Sequence, residues 1–269
     1  MKSFGKIACV SVCWAAVLLS GCAGQNAGPG APSGKADIVT ESDEPDIRRR
    51  ARLRLELASN YFEQGQTSVA LDELKQALVV DPSFADAYSL RGLVYMRLND
   101  VTLADDSFRR ALALSPRDPD VAHNYGWFLC QQLRYKESSQ LFAQALGNPL
   151  YAGQAKTLMA QGVCQVRAGQ RADAEQSFTR SYELDAGNPL TGYNLASLLY
   201  ERGEVSRSQF YIRRINNSAL ANAETLWLGA KVEQRLNNRD VANQLGDQLK
   251  KRFGDSREAG AYERGAFNE

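Results

Sequence analysis

The chain has 269 residues, 44% of them hydrophobic and 23% charged, the proportions of one or two ordinary globular domains. Its 32 basic and 31 acidic residues leave a formal charge of +1, without the broad basic field of a nucleic-acid binder. A single histidine, His123, and five scattered cysteines argue against metal centres, histidine-based catalysis and a disulfide scaffold.

The first element reads as an address. Lys2 and Lys6 precede an apolar run of 13 residues, Ile7 to Leu19. A membrane-spanning helix needs about 20 such residues, so the run suits the core of a signal peptide. It ends in Leu19-Ser20-Gly21-Cys22, which resembles the bacterial lipobox. That resemblance implies cleavage before Cys22 and diacylglycerol on its thiol; a plain secretory signal or an N-terminal anchor is the competing reading. Ala23 follows the cysteine where an aspartate would retain a lipoprotein at the inner membrane, so the resemblance points to the outer membrane. Cleavage would remove residues 1–21 with Lys2, Lys6, Cys9 and Cys13, leaving 269 − 21 = 248 residues and a charge of 30 − 31 = −1. More than one acyl chain at Cys22 would hold the protein to a membrane stably, since a single chain binds reversibly.

Residues 22–46 form the expected lipidated N-terminus and tether. They are rich in Gly, Ala, Pro and Ser and show neither a helical nor a strand period. At roughly 5–6 Å × √n, such a tether reaches on the order of 25 Å. Gly34-Lys35 is not the end of a phosphate-binding loop, because Pro29 occupies the place of its first glycine and Ala36 that of its Ser/Thr.

From there a repeat organises the chain. Small residues recur at Ala58, Gly92, Gly126, Gly162, Ala196 and Gly229, spaced 34, 34, 36, 34 and 33 apart. The first unit reads Leu57-Ala58, Tyr61, Gly65, Ala70, Leu74, Ala77, Pro82, and the second Tyr88, Gly92, Tyr95, Ala104, Phe108, Ala111, Pro116. Phe142, Phe178, Ile212 and Leu245 continue the large apolar position through the later units. Each unit predicts two amphipathic helices, with the small residue of helix A admitting helix B closely. Asp81-Pro82 and Asp118-Pro119 each read as a capping acid followed by a proline at the first helical position.

This pattern resembles the tetratricopeptide repeat (TPR). The implied fold is all-α, a right-handed superhelical solenoid of about six TPR helix pairs over residues 47–253, with a C-terminal tail at 254–269. Arg91 stands where this repeat usually has leucine, and Ser138 where it usually has alanine. In the family's pattern, the second, fifth, ninth, twelfth and thirteenth positions of helix A face a concave groove. For the first three units this predicts a partner-binding groove of Leu55, Phe62, Leu93, Met96 and Trp127, with Arg97 and His123 nearby. Such a surface suits an amphipathic helix or an extended apolar segment; the alternative for each residue is packing between repeats. The Lys and Asn of a carboxylate-clamping TPR are replaced by Leu55 and Ser59. No G-x-S-x-G, H-E-x-x-H or C-x-x-C accompanies His123, so it reads as a solvated or groove residue in a protein that is not an enzyme and holds no cofactor or metal.

Cys130 and Cys164 are the thiols left once Cys22 is acylated. They lie late in helix A of neighbouring units, two positions out of register, and an oxidising compartment predicts a disulfide between them; two small buried hydrophobes are the alternative. The lipobox, the tether and six repeats together resemble the PilF/PilW family of type IV pilus biogenesis lipoproteins. Asn124-Tyr125-Gly126-Trp127-Phe128-Leu129-Cys130, Asn148-Pro149-Leu150-Tyr151, Gly162-Val163-Cys164 and Leu226-Trp227-Leu228-Gly229 carry that resemblance. So does Leu249-Lys250-Lys251-Arg252-Phe253-Gly254-Asp255-Ser256, though Gly254 replaces the family's usual proline. The resemblance implies a monomeric pilotin. Anchored in the outer membrane by its acyl chains, on the periplasmic side, it would bind pilus secretin subunits, assist their localisation and multimerisation, and bind no nucleic acid. A TPR scaffold of another envelope machine, for outer-membrane protein assembly or control of peptidoglycan synthesis, is the alternative.

Overall fold

The computed structural model describes residues 44–268; the signal peptide, Cys22 and the tether up to residue 43 lie outside them. Among the described residues there are thirteen helices and no strand. In chain order they are α1 (Asp46–Glu63), α2 (Thr67–Val80), α3 (Ala85–Arg97), α4 (Val101–Leu114), α5 (Pro119–Gln131), α6 (Tyr135–Leu146), α7 (Gln154–Arg167), α8 (Arg171–Leu184), α9 (Pro189–Glu201), α10 (Val205–Asn216), α11 (Ala223–Arg235), α12 (Arg239–Phe253) and α13 (Arg257–Glu263). The first twelve are the A and B helices of six pairs. Successive A helices touch one another, whereas successive B helices do not. The A layer is therefore the inner, concave side of this TPR stack.

Size complementarity sets the packing inside each pair. A Cβ added at Gly92 would meet the Phe108 ring at 2.7 Å, one at Gly126 the Phe142 ring at 3.1 Å, and one at Gly162 the Phe178 ring at 2.5 Å. Where the small residue is alanine, its partner sixteen residues on is Leu74 or Ile212 instead of phenylalanine. All five large side chains are fully buried. The bulk removed from helix A is thus returned by helix B, and the two helices stay in close contact.

Each pair turns through the same backbone motif. Gly65, Asn99, Leu133, Gly169, Gly203 and Asn237 all adopt left-handed φ between 60° and 86°. The amide of the following residue then donates back to the carbonyl five residues before it, as from Gln66 to Tyr61 and from Arg134 to Leu129. This closes helix A with the carbonyl satisfied that would otherwise be orphaned. Leu133 has no glycine-like freedom there and stands 68% exposed.

The polar departures from the repeat have local partners. Ser138 Oγ donates to Gly126 O at 2.7 Å, and Ser208 Oγ makes the equivalent bond to Ala196 O. Arg91 Nε donates to Ser107 Oγ at 2.9 Å. Of the two predicted proline caps, one stands: Asp118 Oδ1 accepts from the amides of Asp120 and Val121. Asp81-Pro82 does not cap, because α3 begins three residues after the proline, at Ala85. Asp81 instead accepts from the amide and hydroxyl of Ser83 and from Arg48 Nε at 2.5 Å, so it ties the turn to α1. Asn188 before Pro189 makes the cap that Asp81 lacks.

Two features interrupt the period. The connection between α6 and α7 runs to seven residues, against four for α2–α3, α4–α5 and α8–α9 and six for α10–α11, and it tucks Tyr151 against Ala122 and Ala145. Past residue 253, α13 packs on the last pair. Ser256 caps it, Tyr262 lies directly over Gly246, and the rings of Trp227, Tyr262 and Phe267 stand 5.1 to 6.2 Å apart. The predicted tail thus contributes a terminal helix that covers the apolar end of the stack.

Candidate functional site

The A helices α1, α3, α5 and α7 line an open groove of about 460 Å³ on the concave face. Phe62, Leu93, Met96 and Trp127 form its apolar wall, each half-buried, with Met159 and Ala160 from α7 completing it. Six of the seven predicted groove residues meet here: Phe62, Leu93, Met96, Arg97, His123 and Trp127. The seventh, Leu55, does not. It packs half-buried against the core shared by the first two pairs, beside Ala58, Leu74 and Ala87. Asn124, Lys156 and Met159 were not among the expected residues. The second and fifth positions of unit four, one unit beyond the three considered, hold Lys156 and Met159.

Two cations cover the aromatic rings at the rim. The Arg97 guanidinium sits 3.9 Å above the Phe62 ring, and its Nη1 donates to Phe62 O at 2.6 Å. Arg167 lies 5.6 Å over the Trp127 ring and donates to Gln131 Oε1. Such contacts contribute on the order of 1 kcal/mol each. No residue lining the groove is acidic.

His123 is buried in the groove floor, at 4% exposure, and is not a solvated residue. Its Nδ1 lies 2.8 Å from Thr157 Oγ1, which belongs to α7. Burial, and then the nearby Lys156 charge, push its pKa down to about 4, so the ring is neutral at neutral pH. The cause is the long α6–α7 connection: Tyr151, swung inward, shields the pocket where Thr157 and His123 meet.

Beneath the groove, Cys130 of α5 and Cys164 of α7 have Cα atoms 5.8 Å apart with their sulfurs at bonding distance, inside the about 7 Å a disulfide allows. Both are buried next to Phe142 and Ala160, with Trp127 packed on them. Among the described residues, no group of His, Cys, Asp and Glu could hold a metal ion. Nor is any of their helices long and apolar enough to cross a membrane.

Comparisons with known proteins agree with this geometry. The tetratricopeptide repeat family matches residues 85–118, and a further TPR repeat family matches residues 58–99. The type IV pilus assembly protein PilF of Pseudomonas aeruginosa is 31% identical over 199 residues, which is 74% of this chain and 79% of that protein. The solved structure of Pseudomonas aeruginosa PilF superposes with a TM-score of 0.75 at 29% identity, covering 82% of this chain and all of the other (100%). PilW, described as a widely conserved type IV pilus biogenesis factor, superposes with a TM-score of 0.72 at 28% identity, covering 79% of this chain and 97% of its own.

Proposed function

The chain belongs to the PilF family of type IV pilus assembly proteins, and from that membership we propose that it acts as a pilotin for the pilus secretin. It is a TPR protein of type IV pilus biogenesis, and its working surface is the concave groove. In the proposed mechanism, Cys22 is acylated and anchors the protein to the periplasmic face of the outer membrane. The tether gives reach, and the groove holds an apolar segment of an unassembled secretin subunit until the ring forms. No bond is made or broken; the work is done by a difference in affinity between unassembled and assembled subunits.

The observation that carries this reading is the apolar wall of Phe62, Leu93, Met96 and Trp127, four large side chains that stand half-buried on one concave face among the described residues, with Arg97 over the Phe62 ring and Arg167 over the Trp127 ring at its rim. The disulfide between Cys130 and Cys164 belongs to the same proposal, since it would join the two helices that carry His123, Trp127, Lys156 and Met159. Cells lacking the gene are expected to lose secretin multimers from the outer-membrane fraction. Restoring the wild-type gene should recover them, and restoring a Trp127→Asp variant should not. Normal multimers in the deletion strain reject the assignment. Loss of a different envelope complex with the secretin intact points to a scaffold of another machine.

A further inference from the structure

Among the polar side chains lining the groove, His123 is the one buried in its floor, where an apolar docking surface has no use for it. His123 is nine-tenths buried, yet it lines the groove. Its hydrogen-bond role follows from the chain of bonds behind it. The Asp120 carboxylate can only accept, so the Tyr151 hydroxyl donates to it at 3.0 Å. The Tyr151 oxygen then accepts from the Thr157 hydroxyl at 3.3 Å. With its one proton given to Tyr151, Thr157 Oγ1 accepts at 2.8 Å from His123, which places the imidazole proton on Nδ1. Nε2, on the opposite edge of the ring, therefore carries a lone pair. No hydrogen bond joins it to another described residue, and since the buried side-chain polar atoms without a partner are the Tyr182 hydroxyl and Asn216 Oδ1, Nε2 keeps access to the groove. The relay holds its polarity at neutral pH: burial and the Asp120 charge push the Tyr151 hydroxyl up to about 12, so it keeps its proton.

We propose that His123 Nε2 is a specificity-determining acceptor, taking a hydrogen bond from a backbone N–H of the groove's occupant, and that the occupant is therefore an extended apolar segment bearing an acidic side chain. In an α-helix, the amides beyond the first turn are already bonded within the helix, so a docked helix presenting only apolar side chains would leave Nε2 buried and unpaired. An extended segment offers amides along its length while its alternate side chains fill the apolar wall. A cationic donor is disfavoured by the Lys156 ammonium, whose charge acts on the ring. The acidic side chain is selected by Arg97 and Lys156 in a groove lined by no carboxylate. This inference rests on the docking reading of the groove but not on which protein docks there.

The test uses the purified full chain in detergent, made without a histidine tag, so that His123 is the sole imidazole. Long-range ¹H–¹⁵N spectra of histidine-labelled protein should show the proton on Nδ1 and a bare Nε2; the opposite tautomer overturns the proposal without need of any variant. The binding probe is a 12-residue peptide selected from a random phage library on the wild-type chain. N-methylating its backbone amides one at a time should weaken binding about tenfold at one position, and that loss should vanish with His123→Leu. The Nε2 resonance should shift when the unmethylated peptide binds. A selected peptide that binds as a helix, or a methylation loss identical in wild type and His123→Leu, overturns the proposal. If phage peptides behave as expected and overlapping secretin peptides do not bind, the acceptor stands and the pilotin assignment falls. Secretin peptides that bind without sensitivity to methylation reverse that outcome.

Discussion

His123 makes the protein's stability depend on pH in a direction that can be worked out. The ring is neutral in the folded state because its pKa is lowered from 6.5 to about 4, by burial first and the Lys156 charge second. In the unfolded chain the same ring takes up a proton near its ordinary value. Between those two values the unfolded state binds more protons, so folding stability falls as pH drops through that window. At about 1.4 kcal/mol per unit, the full effect is about 3 kcal/mol, of which about 2 kcal/mol is lost between pH 8 and pH 5. The ring is almost fully enclosed, so solvent screening discounts little of this. Urea unfolding of the wild type and His123→Gln, compared at pH 8, 6 and 5, isolates the contribution, since the carboxylates common to both cancel. The gap in stability between the two proteins should narrow by about 2 kcal/mol toward pH 5. A gap that stays constant across that range would refute a neutral, buried His123, and with it the hydrogen-bond relay from Asp120.

Other substitutions probe the packing and the turns. Gly162→Ala should cost about 1–3 kcal/mol by driving a methyl into the Phe178 ring, and adding Phe178→Leu should recover part of it, which urea midpoints of the single and double variants will show. Leu133→Gly should stabilise by about 1 kcal/mol, because an exposed side chain at φ 60° packs against little and strains the turn; an unchanged or lower melting temperature contradicts that. Denatured, unreduced protein should show no titratable thiol from Cys130 and Cys164, and Cys130→Ser should lower stability by about 2–4 kcal/mol under oxidising conditions but much less in reductant.

Much of this fold is written in the order of the residues because it answers one steric demand repeated six times. A small residue in helix A and a large one sixteen positions later leave a visible period, and Gly65, Gly169 and Gly203 mark turns that need left-handed backbone. Leu133 hides the same turn, since nothing in a leucine suggests φ 60°. Asp81-Pro82 and Asp118-Pro119 look identical as dipeptides. They differ in where they fall within connections of equal length: Asp81 opens the four residues between α2 and α3, whereas Asp118 closes the four between α4 and α5. The groove residues were recoverable from the repeat register, apart from Leu55, whose side chain packs into the core shared by the first two pairs. The burial of His123 was not legible. It depends on Tyr151, contributed by the longest of the connections between pairs, and on Thr157 from the next unit. The terminal helix α13 likewise lies beyond the repeat, and its place follows from Tyr262 and Phe267 closing over Trp227.

In the proposed function the concave groove holds a secretin subunit. A photoreactive residue placed at Trp127 in the full-length protein, irradiated in intact cells, tests this most directly. One dominant adduct containing the pilus secretin is expected, lost when Leu93 and Met96 are both changed to aspartate. A dominant adduct to any other envelope protein, with no secretin recovered, would contradict it.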